Sequence, residues 1–179
     1  MTDAPSRLSD RAAELRLAFD RSFAAPPRLD TVSEGDFLGI RLAGNPYAIR
    51  LSDIAGLFAD KAITRVPNSV PSLIGIAGFR GAIVPVYSLE LLLGHSVGGT
   101  PRWMTIAAHV SVAFAFEGFD GHLRLSRDAI LPQENLESDR RFTREFARTG
   151  GIVRPVVDLP SVVDAIRKPP QGAALTRER

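Results

Sequence analysis

The side chains that could carry out acid–base chemistry are few in this sequence and scattered along it. His122, Ser126 and Asp128 lie close together and are the residue types of a nucleophilic hydrolase triad. A triad serine sits on a strained turn between a strand and a helix, and the sequence around Ser126 has no such turn motif. We therefore predict that these three residues form no triad.

The remaining candidates for chemistry are also weak. Glu117 and Asp120 could act as paired carboxylates, but the glycines beside them indicate turn residues. The sequence has no cysteine and three histidines, which are too far apart for a ligand pair at helix or hairpin spacing. No glycine-rich loop is followed by a lysine that could bind phosphate. The inventory predicts no enzymatic activity, no cofactor and no metal site.

Composition describes an ordinary globular chain. The 179 residues are 45% hydrophobic, enough for one domain or two small lobes, and the net charge is only +2. This small excess of positive charge is not typical of a nucleic-acid-binding protein. No apolar run approaches the roughly 18 residues that a membrane-spanning helix needs, and no secretion signal is visible at the start. We expect a cytoplasmic protein without membrane insertion.

The N-terminal region, residues 1–35, is predicted to be an amphipathic helix followed by a proline-rich linker. Apolar residues recur at helical spacing, at Leu8, Ala12, Leu15, Phe19 and Phe23. The prolines at 26 and 27 end the helix. The helix is expected to pack on its own chain, and docking to a partner or a second subunit is the alternative.

From Phe37 onward the pattern is that of strands. Residues 37–42 and 47–51 flank a turn and predict a hairpin, and residues 63–68 predict a strand stopped by a Pro-Asn turn. Two apolar stretches that reverse at Arg80 and Gly81 predict a second hairpin with one charged residue at its tip. Such a hairpin suits packing and partner contact rather than catalysis.

The second half of the chain has shorter elements. Residues 89–93 predict a short helix, and residues 103–108, 110–116 and 122–125 predict strands. Residues 135–148 are charged and do not alternate, which favours a solvated helix with Leu136, Phe142 and Phe146 facing inward. Residues 169–179 form a C-terminal tail that we expect to be disordered.

The two halves resemble each other at fixed offsets. Residues 81–89 match residues 151–159 when 70 is added to each number, and an offset of 65 aligns residues 48–67 with residues 113–132. We interpret this as a degenerate repeat of two lobes of about 65 residues each; a chance similarity of apolar strands is the alternative. Short strands broken by turns favour small barrels, in which Pro85 and Pro155 are expected at an edge or a bulge.

Residues 63–68, 74–76 and 79–86 resemble the signature of the CheW-like adaptor domain of bacterial chemotaxis. These stretches read ITRVPN, IGI and FRGAIVPV. The resemblance covers residues 36–168 and is most specific in the first lobe. It implies a mainly all-β fold of two tandem SH3-like five-stranded β-barrels, at residues 36–100 and 101–168, with an added N-terminal helix and short helices.

The resemblance also implies a function. Members of this family are signalling adaptors, not enzymes, and they couple the cytoplasmic tip of chemoreceptors (methyl-accepting chemotaxis proteins) to the regulatory domain of a CheA-type histidine kinase. Other CheW-like domains are a further candidate partner, and the implied location is the cytoplasm, in receptor arrays reached through these partners. A β-barrel module that binds nucleic acid or ribosomes is the alternative. It would need a basic face studded with aromatic residues, whereas the aromatic residues here lie mostly in strand interiors.

Five residues carry over from the family as partner-binding positions, namely Ile54, Leu57, Gly75, Arg80 and Gly81. Each has a plainer interpretation: Arg80 as a charge that keeps a turn soluble, and the two glycines as requirements of the backbone. The chain also departs from the family pattern. Gly56 stands where the family has an acidic residue, Gly78 where it has an asparagine, and Ser88 where it has an aspartate that Asp158 keeps in the second lobe.

Overall fold

The structure is a computed structural model and describes residues 35–96, 98–132 and 142–168. The predicted N-terminal helix, most of its linker and the C-terminal tail lie outside the described residues. In chain order the strands are β1 Gly35–Leu42, β2 Asn45–Arg50, β3 Ile54–Ala59, β4 Leu73–Phe79, β5 Ala82–Ser88, β6 Trp103–Ala107, β7 Ala113–Phe116, β8 Gly118–Leu125, β9 Ile130–Pro132, β10 Thr143–Thr149 and β11 Ile152–Val157. The α-helices are α1 Leu89–Leu92 and α2 Leu159–Arg167, and short 3₁₀ turns cover Leu51–Asp53 and Arg127–Ala129.

These strands form two sheets, so the mainly β fold is confirmed. One sheet has six strands in the order β8-β1-β2-β11-β10-β9, and the other has five in the order β3-β6-β7-β5-β4. Within the described residues neither sheet closes into a hydrogen-bonded barrel, and the arrangement is compatible with two SH3-like lobes. In the five-stranded sheet the rings of Phe58 and Phe79 meet edge to face, 4.8 Å apart, and bring the two outer strands together.

The sheets are not built from the consecutive halves 36–100 and 101–168. Strands β1 and β2 pair within the six-stranded sheet, while β6 and β7 pair with β3 and β5 in the five-stranded sheet. Each half of the chain thus contributes strands to the sheet of the other half through a parallel strand pair. One pair places Val86 opposite Ala113, and the other places Val156 opposite Ala48. The offsets of 70 and 65 convert one of these pairs into the other. The sequence repeat therefore corresponds to a structural repeat whose two copies exchange strands.

Pro85 and Pro155 were expected at an edge or a bulge, but neither lies on an edge strand, and each is paired in register, with Ile76 or Phe146, next to the register shift of its hairpin rather than in it. Pro85 is in β5, between β7 and β4, and Pro155 is in β11, between β2 and β10. Each proline directly precedes the first residue of a parallel ladder, Val86 or Val156. A missing amide donor is tolerated there because the ladder begins one residue later.

Two further predictions of secondary structure are wrong. Residues 63–68 are not a strand, since only Thr64 bridges to β4, opposite Ile76, and the prolines that follow provide no amide hydrogens. The described part of the predicted helix at residues 135–148 is strand β10, which pairs with β9 and β11. A register shift between Thr143 and Glu145 disturbs its alternation, so the charged sequence does not look like a strand.

The helices follow the two repeated strands β5 and β11. Ser88 caps α1 by accepting a hydrogen bond from the Leu91 amide at 3.3 Å, and Asp158 caps α2 by accepting one from the Ser161 amide at 3.2 Å. The predicted short helix is confirmed as α1, whereas α2 was not predicted. Among the described residues, no helix has both the length and the apolar character to span a membrane.

The largest core cluster joins the two sheets. It contains Ile40 and Ile49 from the six-stranded sheet, Phe114 and Phe116 from the five-stranded sheet, and Val162 from α2, all fully buried. Smaller clusters fill the interior of each sheet. Because burial of each large side chain contributes about 1.5–3 kcal/mol, the shared cluster couples the stability of the two sheets.

Candidate partner-binding surface

The hairpin formed by strands β4 and β5, called the first hairpin below, carries Arg80 and Gly81 at its tip. Both residues have positive φ, 46° and 83°, as expected for a two-residue hairpin turn of type I′. Ile83 follows two residues after Gly81 and, at 73%, is the most exposed large apolar side chain among the described residues. The tip therefore presents a guanidinium and an apolar side chain to solvent together.

Arg80 makes no hydrogen bond or ion pair with any described residue. The acidic residue Asp60 is already paired with Arg102 at 3.2 Å, and Gly56 on β3 offers no carboxylate. Lys61 lies with its ammonium 5.2 Å from the centre of the Phe79 ring, at the base of the hairpin. The first hairpin thus carries positive charge that the described part of the chain does not neutralise.

Gly75 lies inside the lobe rather than on its surface. It is buried, its φ is +153°, and a β-carbon there would lie 2.3 Å from the carbonyl oxygen of Thr64. Thr64 and Ile76 exchange two backbone hydrogen bonds, of 2.8 and 2.9 Å, that hold this close approach. Gly75 therefore fits the interpretation as a backbone requirement, and its role in partner binding would be indirect.

Ile54 and Leu57 lie on β3, at the edge of the five-stranded sheet. Both are half-buried and pack against the core cluster that joins the sheets. Between them, the Gly56 carbonyl accepts a hydrogen bond from the Thr105 hydroxyl at 2.9 Å. The five predicted positions thus divide into a hairpin tip, a buried glycine and an edge strand, and the Phe58–Phe79 contact connects the edge strand to the hairpin.

Comparison with known sequences places this geometry in a family. The sequence pattern of the CheW-like domain matches residues 36–167, most of the chain. The chain belongs to the CheW-like domain family. A relative in Rhizobium etli named "Probable chemotaxis protein CheW" is 23% identical over 124 residues, which cover 66% of this chain and 79% of the relative.

A solved structure shows the same fold. The crystal structure of the scaffolding protein TtCheW from Thermoanaerobacter tengcongensis aligns with a TM-score of 0.61 at 20% identity, covering 69% of this chain and 88% of that one. Together with the sequence match, this confirms the resemblance stated from the signature residues. The matched region runs from residue 36 to residue 167.

The residues first considered for chemistry have structural partners in this CheW-like domain. His122 lies 2.9 Å from Asp36 across the β1–β8 ladder, not beside a serine nucleophile. The Ser126 hydroxyl and backbone hydrogen bonds lower the pKa of Asp128. Glu117 accepts a hydrogen bond from the Gly44 amide at 3.0 Å, and Asp120 pairs with Arg41 at 2.7 Å. Each of these groups serves the local structure.

Two features of the surface were missed by the sequence analysis. The sequence pattern predicts Ile83 only as part of an apolar strand, whereas in the structure Ile83 is exposed and its neighbour Val84 is buried. Asn68 was treated only as a turn residue. Its side chain bonds the carbonyls of Val66 and Leu73 at 3.0 and 3.1 Å and accepts from the Val70 amide at 2.9 Å. The Pro-Asn pair was the available signal for this ordered loop.

Proposed function

We propose that this protein is a cytoplasmic, non-catalytic chemotaxis adaptor that couples the tips of chemoreceptors to the regulatory domain of a CheA-type histidine kinase. Membership of the CheW-like family supports the adaptor role. The observation that carries the receptor contact is the first hairpin, where Arg80 is exposed at positive φ without a described counter-ion, beside the exposed Ile83.

The backbone of Arg80 supports this assignment. A non-glycine residue in the left-handed region costs roughly 1–2 kcal/mol. The equivalent position in the β10–β11 turn is Gly150, which adopts a similar φ of 55°. Arginine at this position thus destabilises the isolated turn, and strain of this kind is often found at functional sites. A contact between the guanidinium and a partner carboxylate would offset that cost.

The predicted residues contribute to the proposed receptor contact in different ways. Arg80 and Ile83 contact the receptor, and Gly81 permits the turn that presents them. Ile54 and Leu57 extend the contact along β3, while Gly75 holds the hairpin in place from inside. For the kinase domain and other CheW-like domains we assign the β10–β11 turn, where Ile152 and Val153 are each 44% exposed.

Reconstitution with a receptor tip fragment and a CheA-type kinase tests the proposal. Arg80→Glu reverses the charge at the tip and is expected to cost about 2–5 kcal/mol of receptor binding if the contact is central. Arg80→Gly separates binding from folding, because it should stabilise the turn by about 1 kcal/mol while still weakening receptor binding. Titration calorimetry and thermal melts measure the two effects.

Ala43→Gly is the matched control. Ala43 has a φ of 48° in the β1–β2 turn, so the same backbone relief occurs away from the first hairpin, and receptor affinity should not change. Unchanged receptor affinity in Arg80→Glu, with a normal circular dichroism spectrum, would remove the first hairpin from the interface. Recovery of RNA or ribosomes in place of receptor and kinase would favour the nucleic-acid module instead.

A further inference from the structure

A groove of about 750 Å³ lies beside the first hairpin and is not part of the proposed hairpin contact. Its walls are mainly apolar and come from the loop before β4, from β4 itself, from α1 and from the loop before β6. They include Ile63, Val66, Leu73, Ile74, Leu91 and Pro101. Most of these side chains are only partly buried, so the groove exposes apolar surface that the described residues leave uncovered.

The groove is held open by a hydrogen-bonded loop. The three side-chain hydrogen bonds of Asn68 fix the loop between Val66 and Leu73. The Ser88 amide donates to the Ser72 carbonyl at 2.8 Å and ties the loop to the start of α1. A preformed groove of this kind binds a partner without the entropic cost of ordering its own walls.

Charge around the groove is mostly positive. Lys61 and Arg65 are exposed on its lining and form no ion pair with a described residue. The one carboxylate on the lining, Glu90, is buried and accepts a hydrogen bond from the Ala43 amide at 3.4 Å. The Lys61 ammonium also lies over the Phe79 ring, but neither Lys61 nor Arg65 has a counter-ion among the described residues, so acidic groups on an occupant would complement the charge of the groove.

We propose that this groove binds a segment of a partner protein in which apolar side chains are flanked by acidic ones. The apolar groups would cover Ile63, Ile74 and Leu91, and the carboxylates would meet Lys61 and Arg65. A peptide fits these walls better than a nucleic acid. No aromatic side chain occurs among the described residues of the lining, so bases would have no surface on which to stack.

Selection from a random peptide library displayed on phage, with the full chain immobilised, tests the inference without any receptor or kinase. Enriched peptides should combine Leu, Ile, Val or Phe with Asp or Glu. One enriched peptide, synthesised with a fluorophore, is then titrated by anisotropy against the wild-type chain. The double variant Lys61→Glu/Arg65→Glu should bind it at least tenfold more weakly, and added salt should weaken wild-type binding.

Arg127→Glu is the matched control, because Arg127 is an exposed cation away from the groove, and it should change the affinity less than twofold. Both altered residues of the double variant are exposed, and its melting temperature verifies the fold; Lys61→Gln/Arg65→Gln replaces it if the fold suffers. Enrichment of peptides without acidic residues, or equal binding by the double variant and wild type, would overturn the inference. So would binding of single-stranded RNA or anionic lipid vesicles that depends on Lys61 and Arg65 when no peptide does. Failure here leaves the receptor coupling proposal intact, since that proposal is tested on Arg80.

Discussion

The first hairpin and the β10–β11 hairpin, called the second hairpin below, share a backbone and differ in where they place charge. Both have the same register, with Gly75 opposite Val86 in one and Glu145 opposite Val156 in the other, and both contain a register shift at the same place. In the first hairpin Val84 is buried in an apolar cluster. At the equivalent position of the second hairpin, Arg154 is equally buried and lies 3.5 Å from Asp120.

At the tips of the two hairpins the charge is distributed the other way round. The first hairpin has Arg80 at its tip, in solvent, where the second has Gly150. One copy of the repeat therefore has an apolar interior and a charged tip, whereas the other has a charged interior and an uncharged tip. The strand pairing is therefore fixed by the backbone pattern, while single substitutions decide whether the charge of a hairpin is exposed at its tip or paired in its interior.

The largest expected effect on stability comes from a substitution at Gly75, beside the register shift of the first hairpin. Gly75→Ala should lower the free energy of unfolding by about 4 kcal/mol, because the new β-carbon would collide with the Thr64 carbonyl. Gly78→Ala on the same strand is the control, since nothing lies within 4 Å of a β-carbon there, and it should change stability by less than about 0.5 kcal/mol. Urea denaturation measures both. Equal losses would mean that the close approach of Thr64 is not what requires glycine.

The buried charge of the second hairpin gives the next largest effect. Asp120→Asn removes the one described carboxylate near Arg154 and should cost about 3 kcal/mol, since a buried cation is left without a counter-charge. Adding Arg154→Val, which copies the first hairpin, should recover most of this loss, the remainder being the more exposed ion pair between Asp120 and Arg41. Denaturation of the single and double variants measures the coupling. Strictly additive losses would show that Arg154 and Asp120 do not depend on each other.

A smaller effect is expected where the first hairpin lacks a carboxylate. Gly56→Glu places an acid on the strand that contacts the hairpin through Phe58 and Phe79. We expect a gain of a few tenths of a kcal/mol, or about twofold in receptor affinity, because exposed ion pairs contribute about 0.2–1 kcal/mol. The Phe58 ring, 3.1 Å from the new β-carbon, must shift slightly. Gly56→Gln is the control without charge, and a destabilised Gln variant would indicate that the backbone needs glycine.

The smallest effect is a pH dependence that distinguishes two aspartates. Burial raises the pKa of Asp53, beside the start of β3, above its usual 3.8, and hydrogen bonds lower the pKa of the exposed Asp128. The native state therefore holds the Asp53 proton longer than the unfolded state does, so the Asp53 contribution to stability falls as pH rises from 3.8 to the raised pKa. Asp128 contributes the opposite sign: its stabilisation is present above 3.8 and is lost as pH falls through the lowered pKa.

Denaturation series from pH 2 to pH 7 measure these slopes in Asp53→Asn and Asp128→Asn. The first variant should be slightly more stable than wild type at pH 7 and the second slightly less stable. When the pH is below both the native-state and the unfolded-state pKa of an aspartate, the pH-dependent difference in stability between its variant and wild type should vanish. Equal shifts of the same sign in both variants would contradict the assignment of burial as the cause for Asp53.

Local patterns in the sequence predicted the β1–β2 and β4–β5 hairpins, because a turn with glycine between apolar strands is decided by neighbouring residues. Strand β10 escaped prediction because its pairing with β9 and β11 compensates for a sequence in which three of seven residues are charged. The interior position of Arg154 could not be predicted either. Its burial depends on Asp120, 34 residues away, and no local period reports that pairing.

In the candidate site, too, local sequence predicts the hairpin tip but not the surface that depends on the tertiary fold. The sequence signature was enough to locate Arg80 and Gly81 at the tip, because the turn requires a glycine after the arginine. The groove beside them is formed by three separate stretches of chain, within residues 61–74, 88–91 and 99–101. Only the tertiary fold brings Lys61, Leu91 and Pro101 to one surface, so no spacing in the sequence indicates it.

The exchange of strands between the two copies of the repeat has a consequence for synthesis on the ribosome. The β1–β2 hairpin emerges first, but β2 pairs in parallel with β11, and Ala48 must wait for Val156. At roughly 5–20 residues per second, that wait lasts about 5–20 s. During this interval the early hairpin has an unpaired edge, which is a template for association with other nascent chains. Expression of the chain at low temperature or with chaperones should therefore matter more for soluble yield than its modest size suggests.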